Sequence, residues 1–161
     1  MIHHILVPTD GSENAERAVR FSAQVADRRQ QAEVTVVYVH LRVPNVVSPL
    51  AASVLEPAQP FQTMHAVPEE MDAEERAQAQ QIVTQAVQEI RRLVTSPDIT
   101  VSGRVVVADR VDEGILHTAQ ETRADIIVVG TRGLSALRGA IMGSISHALI
   151  EKAECPVLVV K

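Results

Sequence analysis

Between Gly130 and Ser144 the chain reads GTRGLSALRGAIMGS, and four of its seven glycines fall there. Glycine lets a backbone take positive φ and come close to a ligand. The stretch follows the apolar run DIIVV and ends where a helix is expected to open, at Ser144. Free N–H groups and the positive end of the dipole make a helix start a favourable place for an anion. The Ser144 hydroxyl can cap that helix or bind a phosphate oxygen. Arg132 and Arg138 add positive charge in a chain whose net charge is −5. The chemistry on offer is phosphate binding. Phosphoryl transfer asks for a positioned base and strong charge neutralisation at the γ-phosphate, and this loop has neither a lysine nor an obvious base. Taken alone, the stretch also reads as a flexible connection with Ser144 as a plain N-cap.

A second group of residues sits at the other end of the chain. Pro8, Thr9 and Asp10 close the first expected strand, IHHILVP. In open parallel sheets ligands bind beyond the carboxyl ends of the strands, where the strand order reverses. With the order 3-2-1-4-5 that point lies between strands one and four, which puts Pro8-Thr9-Asp10 opposite the glycine loop. The Asp10 carboxylate can accept from ribose hydroxyls or a base amino group, or it can serve with Ser12 in capping the first helix. Other phosphate sites are absent: the chain has no GxxxxGK[ST], and no GxGxxG follows the first strand. TDGSENA lacks a flavodoxin's Ser/Thr-rich loop, and Asp10 lacks the companion acids of a phosphoacceptor domain.

The elements that must place these residues alternate. Strands are expected at 2–8, 33–39, 101–107, 125–129 and 156–160. Apolar positions Ala15, Ala18, Val19, Ser22, Val25 and Ala26 step at helical spacing after the first strand. A helix is expected from about Glu69 to Val94, its inner side marked by Met71, Glu75, Ile82, Ala86, Ile90 and Leu93, and shorter helices near 112–122 and 144–153. Strand and helix in alternation predict an α/β fold, a five-stranded parallel sheet with helices on both faces, in a single domain over 1–161. The segment 41–68 carries five prolines and no sustained period. It reads as a long insertion, a lid or a partner-binding segment.

The totals narrow the partners. The 15 basic residues form no long run, which argues against a general nucleic-acid or anionic-membrane surface. No apolar run approaches the roughly 20 residues of a membrane span, and no signal peptide is visible at the start. Cys155 is the only cysteine, so no intrachain disulfide can form, and it reads as small and structural. A cytoplasmic protein is expected. The six histidines show no metal-ligand spacing, and His147 reads as a helix-surface residue.

Gly130, Gly133, Gly143 and Ser144 match G-x2-G-x9-G-[ST], and with ILVPTDGSENAERAV, VVYVH and ECPVLVV they resemble the ATP-binding branch of the universal stress protein family. The likeness covers nearly the whole chain outside 41–68. It implies the universal stress protein fold, of the adenine-nucleotide alpha-hydrolase type, binding ATP, or ADP or AMP, with Mg²⁺ or Mn²⁺ carried by the phosphates. Asp10 and the backbone of Val39 would then hold the adenine and ribose end. Val129 and Gly130 would line the ribose, and Gly133, Gly143, Ser144 and the N–H of Ile145 would cradle the phosphates. Two departures stand out: ADRVDEGI lacks the Gly-x-Pro often found after strand three, and the proline-rich insertion is long. The resemblance also implies a homodimer through the last strand, and an apolar edge at 156–160 gives an independent reason for it. The expected role is a signalling module with an unidentified protein partner. A slow ATPase or phosphotransferase, and a nucleotide-free dimeric scaffold acting through 41–68, stand as alternatives.

Overall fold

A computed structural model describes residues 2–28, 31–42, 71–131 and 143–161. The chain order is β1 (His4–Pro8), α1 (Glu13–Asp27), β2 (Ala32–Leu41), α2 (Ala73–Leu93), β3 (Ile99–Ala108), α3 (Val111–Thr122), β4 (Ile126–Gly130), α4 (Ser144–Lys152) and β5 (Val157–Val160). The five strands form one parallel sheet in the order β3-β2-β1-β4-β5, as the alternating pattern predicts.

The sheet is apolar on both faces because helices cover both. On one face Ile5, Val7, Val34 and Val36 pack against Ala18, Val19 and Ala23 of α1 and Val83, Ala86 and Ile90 of α2. On the other, Leu6, Val37, Ile127 and Val129 meet Ile115 and Ala119 of α3 and Leu149 of α4. Successive strand residues alternate between the two clusters, as the strand period of two requires.

Helix α1 begins as its sequence suggests. The Ser12 hydroxyl accepts from the Ala15 N–H at 3.3 Å, and Ala15, Ala18, Val19, Ser22, Ala23 and Ala26 are buried. Helix α2 differs from expectation. It starts at Ala73, behind a capping box in which Asp72 and Glu75 each bond the other's backbone N–H. Its buried face is Ala79, Val83, Ala86 and Ile90. Met71 is buried upstream of the helix, while Glu75 is exposed as a capping residue and Leu93 is 37% exposed in the last turn. The register is set by Gly103 of β3, where a Cβ would stand 2.3 Å from Val83 Cγ1. Val83 fills the space a side chain at 103 would take. Competition between apolar period and capping chemistry was therefore decided by the sheet beneath the helix.

Asp112, in the first turn of α3, is 1% exposed and accepts from Arg110 at 3.1 and 3.2 Å and from Lys152 of α4 at 3.0 Å. Burial pushes its pKa up, but the hydrogen bonds and charges of Lys152 and Arg110 outweigh this and hold the carboxyl below its ordinary value. A group with a depressed folded pKa stabilises the fold above its unfolded value and loses that contribution as pH falls. Asp112→Asn is therefore expected to cost about 2 kcal/mol at neutral pH, the scale of a charged hydrogen bond. Urea titrations should show the gap to wild type closing as pH drops from about 5 toward 2. A gap independent of pH would mean that the carboxylate's charge does not tie α4 to α3.

Candidate functional site

The ladder between β1 and β4 is shorter than either strand. Both strands are five residues long, yet only Ile5↔Ile126 and Leu6↔Ile127 pair. The cause lies in the sequence of β1. Asp125 N–H donates to His4 O at 2.9 Å, so by two-residue alternation Leu6 and Pro8 also turn their backbones toward β4. Pro8 has no N–H to donate. The ladder stops before it, at the point where the strand order reverses and where ligands of open parallel sheets bind.

On the far side of β1 the sheet overhangs. Pro8 pairs with Val37, and Thr9 N–H donates to Val37 O at 2.9 Å, while β2 continues to Leu41. Arg42 N–H bonds Ala108 of β3, so even residues of β2 face β3 and odd ones face β1. The N–H and C=O of Val39 therefore point past the last paired residue of β1. Its side chain is committed elsewhere, since Val39 Cγ1 occupies the place where a Cβ on Gly114 of α3 would stand, at 2.7 Å.

Thr9 is buried and Asp10 half-buried. Asp10 Oδ1 accepts from Ser12 N–H at 3.0 Å and Thr9 Oγ1 from Gly11 N–H at 3.3 Å. Asp10 thus serves the turn into α1, with Ser12 as the helix cap itself. On the other side of the turn a hollow of about 430 Å³ runs between α1 and α2, lined by Thr9, Asp10 and Gly11 and by Arg20, which pairs with Glu16 and Glu89.

Opposite Asp10, β4 ends with Val129 and Gly130 buried. A Cβ on Gly130 would lie 2.5 Å from Asn14 O and 2.7 Å from Asn14 C, in the first turn of α1. The glycine there is required by helix packing. The chain returns at Gly143, whose N–H donates to Thr131 O at 2.6 Å. Gly143, rather than Ser144, is the N-cap of α4. Among the described residues no side chain caps this helix, and its first backbone bond runs from His147 N–H to Gly143 O. The N–H groups of Ser144, Ile145 and Ser146 precede that bond, so they are the donors a helix start leaves without intrahelical partners. Ser144 is exposed, as is His147.

The structure thus brings together Pro8, Thr9, Asp10, Val39, Val129, Gly130, Gly143, Ser144 and Ile145 around the sheet's carboxyl edge. Arg132, Gly133 and Arg138 lie outside the described residues, as does 43–68 of the proline-rich segment. Ser146 is a residue the sequence pattern did not single out. It is 2% exposed, and its hydroxyl donates to Gly130 O at 2.7 Å. The hint available was a second serine two positions into the helix.

Among the described residues no group of three His, Cys, Asp or Glu could hold a metal ion. The His4 ring meets Thr122 O at 2.5 Å and Thr35 Oγ1 at 2.8 Å. Cys155 packs against the α3–α4 side of the core, and burial pushes its thiol pKa up. Both are structural placements. No helix among the described residues is long and apolar enough to cross a membrane.

The model of the universal stress protein family matches residues 1–161. The chain is 28% identical over 162 residues to universal stress protein YxiE of Bacillus subtilis, covering 100% of both. It superposes on the solved structure of hypothetical protein MJ0577 with a TM-score of 0.74 and 25% identity, covering 100% of this chain and 96% of that one. The universal stress protein of Archaeoglobus fulgidus in complex with dAMP has the same fold, at a TM-score of 0.65 and 21% identity, with 100% and 98% covered.

Proposed function

Since the chain belongs to the universal stress protein family, we propose that it is a cytoplasmic ATP-binding module that regulates a stress response through a protein partner. The observation that carries this reading is the start of α4, N-capped by a glycine that has no side chain to bond its N–H groups, beside the switch in strand order between β1 and β4. The triphosphate lies on the N–H groups of Ser144 and Ile145 and on the Ser144 hydroxyl, with Gly143 leaving room beside them. Arg132 and Gly133, which lie outside the described residues, are assigned to phosphate binding from the motif alone. Ribose sits against Val129 and Gly130 near Asp10, and the outward backbone of Val39 meets the adenine edge. Mg²⁺ or Mn²⁺ arrives on the phosphates, held mainly by them and by water. A relative of the same fold crystallised with dAMP supports the adenine-nucleotide class.

The same reading includes a homodimer through β5. The N–H groups of Ile127 and Thr131 bond Pro156 and Val160, so Val157 and Val159 turn their backbone groups outward. Among the described residues no side chain hydrogen-bonds to these backbone groups. The opposite edge is different, since Arg91 donates to Val101 O of β3 at 2.9 Å. A bare edge pairs with its like.

Purified protein is expected to release an adenine nucleotide on denaturation and, once stripped, to bind ATP with Mg²⁺ well below about 1 mM. ATP, ADP and AMP titrated side by side then rank the nucleotides. No released nucleotide together with no affinity below that level would refute the reading, and repeated ATP turnover per chain would replace it with an enzyme. Light scattering on the same sample should give two chains per particle. Val159→Pro, which removes one outward N–H, should give one chain; a dimer that survives it does not form through β5.

A further inference from the structure

We infer that Ser146 is a positioning residue for the phosphate-binding turn, and that through it the site tells a triphosphate from a bare nucleoside. The inference rests on the nucleotide reading above and concerns a residue outside the glycine motif. Ser146 is 2% exposed, so its hydroxyl does not face a ligand in open solvent. It is spent on the backbone of β4, donating to Gly130 O at 2.7 Å, with Thr131 O at 3.4 Å. Gly130 lies on the alternation that faces β1, at the level where β1 has already ended in Pro8. Its carbonyl therefore lacks the strand partner it would have in a longer ladder. The next carbonyl, Thr131 O, accepts from Gly143 N–H at 2.6 Å.

Two consecutive carbonyls at the end of β4 are thus bonded by two groups of the first turn of α4, one at the N-cap and one three residues on. This staple fixes both the position and the tilt of the N–H groups of Ser144 and Ile145. A helix start gives its full effect on an anion only within its first turn and only when aimed at it. Without the Ser146 hydroxyl, the Gly143 N–H is the one bond among the described residues that still joins this turn to the end of β4, and the turn is less firmly aimed. Of the groups assigned to the nucleoside, Asp10, Val39 and Val129 make no bond to Ser146, and Gly130 alone is shared with the staple.

The test compares ATP and adenosine on wild type, Ser146→Ala and Ser146→Thr. Ser146→Ala is expected to weaken ATP about tenfold while adenosine changes less than about twofold, and Ser146→Thr to restore ATP. A loss of folded protein would lower both ligands together, so their ratio separates positioning from stability. Equal effects on both ligands, or none on ATP, would overturn the inference while leaving the nucleotide reading intact. Wild type that binds neither ligand would remove both.

Discussion

Gly143→Asp is expected to abolish adenine-nucleotide binding while leaving the protein folded and slightly more stable. Gly143 has φ −74° and ψ 156°, an extended conformation open to any residue. The glycine is there for its missing side chain. Aspartate is among the best N-cap residues, and its carboxylate accepts from the N–H of the second or third helical residue. Here those are Ile145 and Ser146, so the new carboxylate competes for Ile145, a donor assigned to phosphate, and sets a negative charge in the phosphate's place. Calorimetry should show ATP affinity reduced at least about a hundredfold, as repulsion adds to the lost donors. Urea unfolding should show a gain of a few tenths of a kcal/mol, the usual Gly-to-Asp difference at this position. Binding and stability moving in opposite directions is the signature. A variant that binds ATP normally would place the phosphates away from α4.

Gly130→Ala is expected to destabilise the fold by about 3 kcal/mol, at the upper end of the range for forcing extra atoms into a packed interior. The added Cβ would stand 2.5 Å from Asn14 O and 2.7 Å from Asn14 C. These are backbone atoms of α1, so no rotamer change relieves the contact, and β4 and α1 must separate. Equilibrium unfolding should show a lower midpoint at an unchanged slope with denaturant. Stability equal to wild type would mean that α1 does not rest on the end of β4. The prediction changes what the first motif glycine is for. Its spacing pointed to a ligand approaching the backbone, and the structure gives it a helix that already does so.

Gly143 and Gly130 thus stand in one motif for two reasons, and only the spacing was visible in the chain. The element types were legible because each is a local property. Runs such as DIIVV have no polar residues to put toward water and must be covered on both faces. The Ser12 cap was legible for the same reason, since hydroxyl and N–H lie within three residues. The parallel sheet followed from alternation, and the order 3-2-1-4-5 supposed for it is the one the described strands adopt. The inner face of α2 was misread at Glu75 and Leu93, because the positions that bury are chosen by what lies beneath, here Gly103 receiving Val83.

The site divides along the same line. The sequence by itself determined which chemistry is available: a glycine-rich return into a helix, an aspartate after the first strand, and a proline that cannot extend a ladder. Each of these acts through its own backbone, so its meaning survives without neighbours. Tertiary structure decided which of them meet. Pro8 ends a ladder only when β4 is the strand beside it. Val39 becomes a donor and acceptor only because β2 outruns β1 by several residues. Ser146, an unremarked serine in the chain, becomes the second staple of the turn only when α4 is laid against Gly130, because a hydrogen bond between residues sixteen apart exists in the packing and nowhere in the spacing.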